Sequence, residues 1–82
     1  MSRYFFNLAD GHREVDEDGT ELADQAAARL EAVRFAGAVL SDDPELLTSS
    51  ATFRVEVTDQ DGRLIFTVVT LAVDAPPRLD HR

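Results

Sequence analysis

The chain has no cysteine, and all eight of its basic residues are arginine. Without cysteine there are no disulfides, no thiolate nucleophile and no Cys-based zinc site. No apolar run exceeds the six residues Phe35–Leu40, far short of the ~20 that a membrane-spanning helix needs. The four glycines, Gly11, Gly19, Gly37 and Gly62, stand alone, so no glycine-rich loop can cradle a phosphate. Positive charge is scarce as well, with sixteen acidic residues setting the net charge at −8. That balance works against attraction to phosphate backbones or anionic lipid. The expectation is therefore no membrane and no nucleic-acid partner. The start, Met1-Ser2-Arg3, runs straight into a strand pattern without the apolar core of a signal peptide. The expected location is cytoplasmic.

Chemical motifs are missing too. Asp16-Glu17-Asp18-Gly19 and Asp59-Gln60-Asp61-Gly62 each set two carboxylates one residue apart before a glycine. Both lack the third ligand and the later bidentate glutamate of an EF-hand, so they are read as solvated turns. His12 and His81 have no neighbours that would make either a metal ligand or a base. Thr48, Ser49 and Ser50 lie outside any nucleophile-elbow context. No catalytic, cofactor-binding or metal-binding residue is assigned, and an enzyme is not expected.

The chain's 82 residues with 44% apolar content suit one small domain with a modest core. Residues 1–73 are expected to form it, with 74–82, which include Pro76-Pro77, as a flexible tail. Arg3–Leu8 alternates Tyr4, Phe6 and Leu8 on one face with Phe5 and Asn7 on the other. Asp10-Gly11 signals a hairpin into a short, charged return strand near His12–Asp16. Thr52–Thr58 sends Phe53, Val55 and Val57 inward. Asp61-Gly62 then turns the chain into Arg63–Leu71, which is apolar on both faces. Such a strand is either central or covered by a partner.

Between the hairpins, Asp24–Leu40 reads as a helix with Asp24 as N-cap and Pro44 as its stop. Leu22, Ala26, Leu30, Val33, Gly37 and Leu40 share one face, which is expected to cover the sheet. Ala28, Ala32, Phe35 and Val39 form a second stripe, which needs another neighbour. Either the tail or the 41–51 loop covers it, or it is a subunit interface. The fold class is α+β, β-β-α-β-β, with a four-stranded antiparallel or mixed sheet and one helix on one face. Strand order between the hairpins stays open. The candidate interface comprises Ala28, Ala32, Phe35 and Val39 with the outward Phe5, Ile65 and Val69, and the expected partner is a second copy, as a dimer, or another protein.

The landmarks together resemble a family of short uncharacterised bacterial proteins. They are the start Arg3-Tyr4-Phe5-Phe6 with Asp10-Gly11, then Asp18-Gly19 and Asp24, the Ala26–Ala28 run, and the Asp59-Gln60-Asp61-Gly62-Arg63 turn. The resemblance implies the same element order and no established activity, so it brings no site residues. A fainter similarity to HicB-type antitoxin domains implies an alternative, a regulatory domain acting with a partner protein.

Overall fold

A computed structural model describes residues 1–49 and 52–77. The chain forms β1 (Ser2–Ala9), β2 (Arg13–Glu14), β3 (Thr20–Leu22), α1 (Gln25–Asp42), α2 (Leu46–Ser49), β4 (Thr52–Thr58) and β5 (Leu64–Leu71). The expected α+β class holds. The sheet order is β2-β1-β4-β5, β3 also pairs with β1, and every pairing is antiparallel. The two hairpins therefore join through β1 and β4, with Phe6 opposite Val57 and Leu8 opposite Val55. Strand β3 is an addition to the expected order. It reads in sequence as a lead into the helix, because three residues are too few to show alternation.

Among the described residues strand β5 is an edge, which removes the central placement from the two readings its apolar faces allowed. Tyr4, Phe6, Leu8, Phe53, Val55 and Val57 are buried on the sheet face under α1. The opposite face carries polar cover over the central strands. There Glu56 accepts from Arg13 Nη2 at 2.8 Å and from Arg54 Nε at 3.3 Å.

Helix α1 begins as its sequence dictates. Asp24 caps it by accepting the Ala27 N–H at 2.9 Å, which satisfies one of the unpaired donors of the first turn. Its rotation about its own axis reverses the expectation. Ala28, Ala32 and Ala36 are buried against the sheet, while Leu30 and Val33 stand 53% and 54% exposed. Ala26 and Gly37 are exposed beside them. Volume explains the reversal. The sheet contributes three aromatic rings and several branched side chains, so close packing requires small residues from the helix. Phe35 and Val39, half-buried, flank the alanine line and pack against the same core. Arg29 covers the β5 side, its guanidinium carbon 4.9 Å from the Phe66 ring centroid.

Beyond α1, Leu46 and Leu47 form one helical turn and also pack against the core. Residues 72–77 are exposed without regular structure, and the rest of the expected tail, 78–82, lies outside the described residues.

Candidate functional site

The two edges of the sheet are built in opposite ways. On the β1 side the edge is broken into β2 and β3, with residues 15–19 bulging between them. The bulge would leave the Phe6 N–H without a strand partner, and Asp16 Oδ2 accepts it instead at 3.2 Å. Asp16 Oδ1 accepts from Asp18 N at 3.1 Å and Gly19 N at 3.0 Å. Burial pushes the Asp16 carboxyl up, but the N–H groups of Gly19, Phe6 and Asp18 outweigh it and hold the group below its ordinary value.

Asn7 completes the tie, accepting the Asp16 N–H at 2.9 Å and donating to the Glu56 carbonyl at 3.3 Å. Gly19 sits at φ +73°, where a Cβ would come within 2.8 Å of both Arg3 Cγ and Phe5 Cε2. Phe5 thus lies under its own chain's turn. Arg13, Glu14 and Glu21 charge this edge, and short, charged, interrupted strands resist pairing with another chain.

Among the described residues the β5 edge is neither charged nor broken, its one irregularity being a register shift against Val57/Thr58 near its start. From Leu64 to Val73 there are ten consecutive residues without charge, proline or glycine, and among the described residues β5 pairs with β4 alone. Leu64, Val69, Leu71 and Val73 are all more than half exposed, and they make up half of the large exposed hydrophobic residues among the described residues. Arg63 precedes the uncharged run and Asp74 follows it. Both are exposed and, among the described residues, neither side chain is in an ion pair. The turn leading into β5 is held by side-chain to backbone hydrogen bonds. Asp59 Oδ1 accepts from Asp61 N and Arg63 N, both at 2.9 Å, and Gly62 takes φ +82°. The carboxylates of both acidic turns, Asp16 and Asp59, are thus spent on their own backbone.

Of the seven interface candidates, one lies on this edge. Ala28 and Ala32 are fully buried within the chain and cannot touch another molecule. Phe35, Val39 and Ile65 are half-buried against the core, and Phe5 is covered by the Gly19 turn. Val69 alone stays more than half exposed. Leu64, Leu71 and Val73 were missed, although the uncharged run that carries them is plain in the sequence. What the sequence withheld was the position of β5 at an edge.

A cleft of about 380 Å³ opens between α1 and the broken edge. Phe6, Leu8 and Phe35 give it an apolar floor, and Glu14, Asp16 and Glu31 an acidic rim. Among the described residues no three histidines, cysteines or carboxylates cluster closely enough to hold a metal ion. No helix among them is long and apolar enough to cross a membrane. No curated protein and no solved structure matches the chain. Over residues 3–72 the chain belongs to DUF6894, a domain of unknown function.

Proposed function

We propose that this domain is a non-enzymatic module that self-associates by pairing β5 edges. The observation that carries the reading is the bare edge itself. β5 is eight residues long, uncharged and unbroken, on a sheet whose other edge is broken and charged. Natural sheets blunt exposed edges because unpaired N–H and C=O groups recruit other strands. An edge left open beside Leu64, Val69 and Leu71 offers backbone hydrogen bonds and apolar burial together. Small domains gain the most from such burial, since one chain of this size encloses little core. The helix face bearing Leu30 and Val33 is a weaker candidate. Its exposed large side chains number two, and its backbone bonds are already satisfied within the helix.

Sedimentation equilibrium between about 5 and 500 μM tests this, a range that spans the micromolar constants of weak dimers. The mass is expected to rise toward twice the 9.0 kDa of the chain. Val69→Lys, which sets a charge on the exposed side of the edge strand, is expected to hold it at one chain mass with unchanged far-UV circular dichroism. A wild-type chain that stays at single mass throughout contradicts the proposal.

A further inference from the structure

We infer that β5 meets the β5 of a second copy antiparallel, about a two-fold axis at Val68 or Val69, so that Arg63 of each copy lies beside Asp74 of the other. The inference rests on the edge-pairing reading above and fixes its geometry.

Three observations determine it. The first is the pleat. In an antiparallel pair, directly opposed residues point to the same face of the sheet. Phe66 and Val68 lie opposite Val57 and Val55 on the helix side, whereas Thr67 and Val69 lie opposite Glu56 and Arg54 on the other. A continuous sheet must match helix side to helix side, so over residues 66–71 even residues oppose even ones and odd oppose odd. Before that stretch the register with β4 shifts by one, Ile65 is the extra residue, and Leu64 lies opposite Thr58 on the outer side. The two-fold axis then passes through a residue, never between two.

The second observation is the extent of the uncharged run, 64–73. Pairing it with its own copy at full overlap centres the axis on Val68 or Val69. With the axis at Val69, the exposed Val69 packs on its own symmetry mate and Thr67 meets Leu71. With the axis at Val68, Thr67 meets Val69. In both cases the outer apolar side chains of the two edges merge.

The third is charge. In both registers the Arg63 end of one strand lies beside the Asp74 end of the other, at each end of the paired strands. The two side chains are exposed and lack ion-pair partners within their own chain among the described residues. A parallel pairing would instead set Arg63 against Arg63 and Asp74 against Asp74. Two copies each carrying −8 repel at long range, so matched charges flanking a neutral strand help decide which orientation survives. An isologous contact of this kind closes on itself and yields a dimer rather than a fibre.

A charge swap tests the geometry, because the two side chains cannot meet within one chain. They flank a strand whose eight residues span roughly 23 Å at ~3.3 Å per residue. Dimer dissociation constants are measured by sedimentation equilibrium for wild type, Arg63→Glu, Asp74→Arg and the double variant. Each single change is expected to weaken the dimer roughly tenfold, because two exposed pairs per dimer turn from attraction to repulsion. The double variant is expected to return within about twofold of wild type. Unfolding midpoints of the monomers, measured alongside, should stay level. A dimer that is lost in Val69→Lys yet indifferent to the charge changes, or not restored by the double variant, overturns this geometry and leaves edge pairing standing. A dimer indifferent to Val69→Lys overturns edge pairing itself, and with it this inference.

Discussion

Asp16 Oδ2 accepts the Phe6 N–H at 3.2 Å, so a side chain replaces a strand at the point where the β1 edge is interrupted. The same carboxylate accepts from Gly19 N and Asp18 N. This makes Asp16 the residue through which the 15–19 bulge is fastened to the sheet. Replacing it with alanine leaves the Phe6 N–H without its acceptor and is expected to cost about 1–3 kcal/mol. Urea unfolding at neutral pH measures the loss.

The same group gives the fold an acid dependence of known sign. Its carboxyl is held below the ordinary value of 3.8 by hydrogen bonds that win over desolvation, so the unfolded chain takes up the proton first as pH falls. The stabilisation is fully present above about pH 4 and is lost as pH drops through the lower, folded value. Asp16→Asn should therefore flatten part of the decline in stability between about pH 5 and pH 2. A parallel decline in both proteins would mean that other carboxylates carry it.

Gly19 and Gly62 separate backbone strain from steric clash. Both have positive φ, but a Cβ at Gly62 meets open space, while one at Gly19 meets Arg3 and Phe5 at 2.8 Å. Gly62→Ala is expected to cost on the order of 1 kcal/mol from conformation alone. Gly19→Ala should cost about 1–3 kcal/mol more, since the Phe5 ring must move. Chemical denaturation of the two variants makes the comparison, and equal losses would show that the turn yields freely.

The rotation of α1 is tested by a pair of substitutions. Ala32→Leu forces extra volume between helix and sheet and is expected to cost about 1–3 kcal/mol. Leu30→Ala removes a side chain that is 53% exposed and should change stability by less than about 1 kcal/mol. The reverse ranking is what the sequence pattern alone would have foretold.

That contrast shows where the sequence was legible. Asp24 as cap, Pro44 as stop, the alternation of Phe53, Val55 and Val57, and the Asp-Gly turns are local signals, and the fold follows them. The helix rotation is not local. Apolar residues surround α1, and the spacing of Leu22, Ala26, Leu30, Val33, Gly37 and Leu40 pointed Leu30 and Val33 inward, whereas the bulky sheet face selects Ala28, Ala32 and Ala36. Strand β3 and the substitution of Asp16 for a strand depend on where β1 lies, which no window of neighbouring residues records. The candidate site divides the same way. Val69 was visible as an outward residue, but only the sheet order makes its strand an edge.

Amide hydrogen exchange, followed residue by residue at about 10 μM and about 500 μM, tests edge pairing most directly. Alternate amides of β5, those turned away from β4, are expected to gain protection with concentration while the amides of α1 stay unchanged. Protection in β5 that is independent of concentration, or a gain confined to the Leu30–Gly37 turns of the helix, would contradict it.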